Sequence, residues 1–143
     1  MRLALIITIL LASPFFTHAA DKKQAFKVIE VQQTGGFAGV KISYRITPGG
    51  SFTRKSRHGN TDGKLTAADA AALSKAVAAI DWKKLPAKLK TPNVADDFAY
   101  DMHFVIGNKT HRITADGIAA NKNKYLKPIM KTLLQIQRAP IKK

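Results

Sequence analysis

The chain has 143 residues, no cysteine, and 24 lysines and arginines against 9 acids, a formal charge of +15. Without cysteine there is no disulfide framework, no thiolate nucleophile and no thiolate metal site. Such a positive charge draws in acidic partners and speeds encounter with them, without choosing between proteins, polymers and lipid heads.

Residues 1–20 read as a secretory signal peptide. Arg2 precedes an apolar run from Leu3 to Leu11, Pro14 breaks it, and Thr17-His18-Ala19-Ala20 places small residues before a cut. The run is too short to span a bilayer as a helix, and no transmembrane segment is expected. Residues 21–143 then form one domain, large enough for a core without staples. The expected location is secreted or periplasmic after cleavage.

Two strands open the domain, Phe26 to Val31 and Val40 to Thr47. In the second, Val40, Ile42, Tyr44 and Ile46 alternate with Lys41, Ser43, Arg45 and Thr47, one dry face and one wet. Thr34-Gly35-Gly36-Phe37-Ala38-Gly39 joins them as a reversal, because glycine reaches backbone angles that a Cβ forbids. A phosphate-binding loop should open a helix, and here a strand follows. Pro48-Gly49-Gly50 turns the chain again. Ser51 to Ser56 reads as a short basic edge strand, whose charges discourage edge pairing. If it pairs back on the second strand, the loop Arg57 to Leu65 lies beside the Gly35-Gly36 turn.

Thr66 is placed to cap a helix, with Asp69 at its third position. Ala70, Leu73, Val77 and Ile80 form the dry stripe, and Asp81-Trp82 and Leu85-Pro86 end it. Lys83 to Asp97 reads as a connector. A second hairpin follows, in which Phe98, Tyr100, Met102, Phe104 and Ile106 form the dry side and Gly107-Asn108 the turn. Centring on that turn pairs Phe104 with His111, Met102 with Ile113 and His103 with Arg112. Asp116 to Lys124 reads as a polar loop. Leu126, Ile129, Met130, Leu133 and Ile136 mark a last helix, with Pro128 in its first turn. The prediction is an α+β domain: an antiparallel sheet of four or five strands (two hairpins) with two helices packed on one face.

Catalytic chemistry is sparse. After residue 20 the histidines are His58, His103 and His111, and Glu30 is the only glutamate. There is no His-Glu-x-x-His, and the register puts His103 and His111 on opposite faces. The run His58 to Asp69 echoes a calcium loop at Asn60, Asp62, Gly63, Leu65 and Asp69, but lacks the carboxylates the ion needs; a turn and a helix cap account for it. Asp96, Asp97 and Asp101 read as solvated or lysine-paired acids. No enzyme activity, cofactor or metal is expected. From Asn121 onward there are seven lysines or arginines and no acid, which suits acidic polymers or anionic surfaces. Tyr125 is the one aromatic nearby, so no stacking platform for nucleic acid is evident and none is expected as a specific partner.

Four pieces occur in one order: Gly35-Gly36-Phe37-Ala38-Gly39-Val40 at the head of a strand, a helix ending near Ile80-Asp81-Trp82 and Leu85-Pro86, Asp97-Phe98-Ala99-Tyr100 opening a hairpin, and a closing helix with Leu133-Leu134. From Val28 to Ile136 this resembles the emfourin family, proteinaceous inhibitors of thermolysin-like zinc metallopeptidases. The resemblance implies a small α+β domain, expected to be a monomer, whose partner is a metallopeptidase. A protease cleft is concave, so an inhibitor must offer a rigid convex tip. The expected contacts are then Gly35, Gly36, Phe37, His58, Asp62 and Leu65. Leu65 or Phe37 would fill the pocket that takes a bulky apolar side chain after the scissile bond, and Asp62 or His58 would approach the zinc.

Overall fold

The computed structural model describes residues 23–140. The expected signal peptide, residues 1–20, lies outside them. Seven strands form one sheet: β1 (Val28–Gly35), β2 (Val40–Ile46), β3 (Ser51–Ser56), β4 (Gly59–Lys64), β5 (Lys88–Leu89), β6 (Phe98–Ile106) and β7 (Lys109–Asp116). The helices are α1 (Ala67–Ala78), α2 (Gly117–Lys122) and α3 (Lys127–Gln137). The strand order is β4-β3-β2-β1-β6-β7-β5. Every pairing is antiparallel except that of β5 with β7.

The expectation of four or five strands and two helices is therefore corrected to seven and three. Each missed element lacks an apolar pattern of its own. In β4 the inward positions are Thr61 and Gly63, opposite Arg54 and Phe52 of β3. A Cβ on Gly63 would sit 2.4 Å from the Phe52 ring, so the neighbour's aromatic covers the glycine and supplies the burial. This strand also replaces most of the expected loop Arg57 to Leu65, and with it the calcium-loop echo. β5 is two residues long. α2 is six residues held by carboxylates: Asp116 Oδ1 accepts from Ala119 N at 2.7 Å and Asp97 Oδ2 from Ile118 N at 2.9 Å. The wet side of the expected connector and polar loop thus holds real elements.

The two hairpins do form. Ile29 faces Ile46 and Gly35 faces Val40 across β1–β2, so β1 runs four residues past the expected Val31. In β6–β7, Phe104 faces His111, Met102 faces Ile113 and His103 faces Arg112. Only Gly107 of that turn has positive φ, at 57°, as a glycine-first tight turn requires.

One core gathers the inward residues of both hairpins with the stripes of α1 and α3. Ala70, Leu73, Val77 and Ile80 are buried, as are Leu126, Ile129, Met130, Leu133 and Ile136. Thr66 Oγ1 accepts from Asp69 N at 3.1 Å and caps α1. Trp82, just past α1, stacks on His111 with centroids 4.2 Å apart and tilts against Phe104 at 5.2 Å. No helix among the described residues is long and apolar enough to cross a membrane.

Candidate functional site

Pairing of Ile42 with Ser56 brings the β3–β4 turn beside the β1–β2 turn. The expectation that the two loops share one end of the sheet rests on this pairing, and here it is formed. Arg57 fastens them: its Nη1 donates to Ala38 O at 3.3 Å and its Nε to His58 Nε2 at 3.0 Å.

The β1–β2 tip is a closed turn. Gly39 N donates to Gly36 O at 3.0 Å, closing a turn with Phe37 and Ala38 at its two corners. Gly36 and Gly39 take φ of 72° and 57°, which a Cβ would disfavour. Two glycines also let another segment approach. A Cβ on Gly35 would lie 2.9 Å from Asp97 O, and one on Gly36 would lie 3.0 Å from the Phe98 ring. Gly35-Gly36 and Asp97-Phe98 therefore interlock as one structural unit. Asp97 Oδ1 also accepts from Phe98 N at 2.7 Å.

The tip presents Phe37, whose exposure is 98%. His58 is exposed in the adjacent turn, and Gly35 and Gly36 are half-buried supports. The other two expected contacts stand elsewhere. Asp62 is exposed but lies midway along β4, its Oδ1 accepting from Thr53 Oγ1 at 2.7 Å across the strand. Leu65 is at the far end of the sheet and 9% exposed; a Cβ on Gly50 would be 3.3 Å from its own Cβ. It is a core residue at the start of α1, and no part of a tip.

Behind the tip lies a buried polar cluster that sequence reasoning missed. Tyr44 Oη donates to Gln33 Oε1 at 2.9 Å, and Gln137 Nε2 donates to Gln33 Oε1 at 2.7 Å and to Tyr44 Oη at 2.6 Å. Arg54, 6% exposed, donates to the carbonyls of Ile136 at 3.1 Å and Ala139 at 3.3 Å, and to Thr61 Oγ1 at 3.1 Å. Its cation closes the C-terminus of α3, where the helix dipole is negative. The signal was available: Phe52, Arg54 and Ser56 alternate, so Arg54 shares the dry face of Phe52 rather than the exposed edge. Burial pushes the Tyr100 phenol up to about 12, with Tyr44 and Asp97 adding to it.

Asp97 and Asp101 are held by hydrogen bonds within the fold. Asp101 Oδ1 and Oδ2 accept from Arg112 at 2.9 and 2.6 Å, and His103 lies 3.2 Å away. The Arg112 hydrogen bond, against a smaller opposing effect of burial, holds the Asp101 carboxyl below its ordinary value. Among the described residues no group of three or more His, Asp or Glu is placed to hold a metal. His103 and His111 sit on opposite faces.

No family model matches the chain, and no curated protein matches it in sequence.

Proposed function

We propose that the protein is a secreted or periplasmic inhibitor of a thermolysin-like zinc metallopeptidase, which it blocks with the two tips at one end of its sheet. The observation that carries this reading is Phe37, bare to solvent on a turn fixed by two left-handed glycines. A rigid aromatic anchor loses little freedom on binding and suits a concave apolar pocket. The resemblance through Gly35 to Val40 and Asp97 to Tyr100 supports the choice of partner. In this reading Phe37 fills the apolar pocket beside the scissile position, and His58 stands toward the metal. Leu65 has no part in it. His58 Nε2 accepts from Arg57, so ligation through that nitrogen requires Arg57 to let go.

Mixing the purified protein with a thermolysin-like peptidase tests this. Inhibition at micromolar protein, lost in Phe37→Ala, is the expected result. Full peptidase activity at that concentration sinks the reading.

A second reading rests on the helices. Lys122, Lys124, Lys127, Lys131 and Arg138 are exposed on α2, α3 and their flanks, and none joins an ion pair among the described residues. In this reading the protein is a basic module for acidic polymers or anionic surfaces of the cell envelope, without enzymatic activity. Its affinity for an acidic polymer should fall steeply with added salt; salt-independent binding, or none, removes it.

A further inference from the structure

A groove of about 580 Å³ opens directly behind the tip, between the ends of β2 and β3 and the C-terminus of α3. Its size falls in the ordinary range for ligand sites, about 300–1,000 Å³. Val40, Ile42, Phe98 and Ala139 supply its apolar lining, each half-buried. Its charged residues are Lys41, Arg54 and Arg57, and no aspartate or glutamate among the described residues lines it.

We infer that this groove is a second docking site, which takes an acidic segment of the partner bearing a bulky apolar side chain. The inference rests on the inhibitor reading only for the identity of that partner. Three observations select the occupant. First, the wall is apolar where a side chain would lie, and the surrounding charge is of one sign. Second, the negative C-terminus of α3 does not cancel that sign, because the Arg54 guanidinium already serves its carbonyls. Arg57 bonds His58 and Ala38 through Nε and Nη1, which leaves its Nη2 to meet a carboxylate. Third, the groove is continuous with the tip: Arg57 lines it and also holds Ala38 of the Phe37 turn. A partner that receives Phe37 brings its own rim to the groove mouth. The sequence after Pro140, Ile141-Lys142-Lys143, carries two lysines and no acid, a charge that does not suit a basic groove.

Fluorescence anisotropy with a labelled hexapeptide, Asp-Glu-Leu-Phe-Glu-Asp, tests the inference. Saturable binding is expected, lost when its acids become lysines and lost when Leu and Phe become serines. Arg57→Glu, an exposed change, should weaken binding at least about tenfold, because a favourable charge becomes a repulsive one. Ile42→Trp, which fills the groove, should do the same; circular dichroism checks its fold. Phe37→Ala should lose peptidase inhibition and still bind the peptide. Lack of saturation up to about 1 mM, the weak end of specific affinity, overturns the inference. So does binding indifferent to Arg57→Glu, or equal binding of all three peptides. A gain of tenfold or more on removing residues 141–143 makes the chain's own tail the occupant and also overturns it. Peptide binding without peptidase inhibition sinks the inhibitor reading alone, and inhibition without peptide binding sinks the groove alone.

Discussion

The two ends of the sheet are built on opposite plans. At the far end, Leu65, Phe52, Ile46 and Leu73 are buried, and Gly50 presses on Leu65 and Ala70. At the tip end, the layer behind the turns is buried Gln33, Tyr44 and Arg54 with half-buried Gln137, held by hydrogen bonds. The large apolar residue there, Phe37, faces water. Apolar packing closes one end without direction, since burial depends on area more than on angle. Directional bonds hold the other end in one geometry while leaving its anchor free. A binding tip needs the second arrangement, because an anchor buried in its own core cannot serve another molecule.

Exchanging the fates of Leu65 and Phe37 is the largest way to break this contrast. Leu65→Ala should cost about 3 kcal/mol of stability, the usual cost of emptying a core leucine site, read from urea unfolding. Inhibition per folded molecule should stay unchanged. Phe37→Ala should do the reverse: stability within about 0.5 kcal/mol of the parent, as for exposed sites, and inhibition weaker by about 2 kcal/mol, as for an anchor residue. If Phe37→Ala destabilises as much as Leu65→Ala, the tip is part of the fold and the two ends do not differ.

Gly35→Ala tests whether the tip is stiff by necessity. Its φ of 110° is strained for any other residue, and the added carbon would meet Asp97 O at 2.9 Å. A loss of about 1–2 kcal/mol is expected from such strain, together with weaker inhibition, because Asp97-Phe98 must retreat from the base of the turn. Stability and inhibition both equal to the parent's would show that the interlock is dispensable.

The sequence reveals these regions unequally. The β6–β7 register is legible because Phe98 to Ile106 alternate strictly and Gly107-Asn108 fixes the centre. The stripes of α1 and α3 are legible for the same reason, since each repeats at helical spacing. β4 is hidden because Thr61 and Gly63 are inward only by virtue of Phe52 and Arg54 on the next strand. α2 is hidden because its order comes from Asp97 and Asp116, distant or flanking carboxylates, and not from its own apolar face. Loop hydrophobes are the least legible. Phe37 and Leu65 both sit next to turn residues in the sequence, and only the chain's path separates a bare anchor from a core staple. The contact set drawn from sequence therefore mixes both ends: Phe37 and His58 lie at one, Leu65 lies at the other, and Asp62 lies between.

The smallest effect concerns the chemistry behind the tip. Tyr100 is buried beside Tyr44 and Asp97, and burial, then those two neighbours, push its phenol up to about 12. An unfolded tyrosine ionises near about 10. The folded state thus holds this proton more tightly than the unfolded state. Its contribution to stability is complete below about pH 10 and is lost as pH rises through about 12. Unfolding by urea at about pH 9 and about pH 11 should show a decline, and Tyr100→Phe, which keeps the ring and removes the ionisation, should flatten part of it. A flat core has no such dependence, so Leu65→Ala should lower stability equally at both pH values. A Tyr100→Phe protein that declines as steeply as the parent would mean that the phenol is ordinary and that the tip end is not backed by a proton-holding core. Tyr100 pairs with Gln33 across β6 and β1, and Gln33 lines the groove, so the same titration followed by peptide anisotropy would report whether loosening at Tyr100 reaches the binding surface before the fold itself is lost.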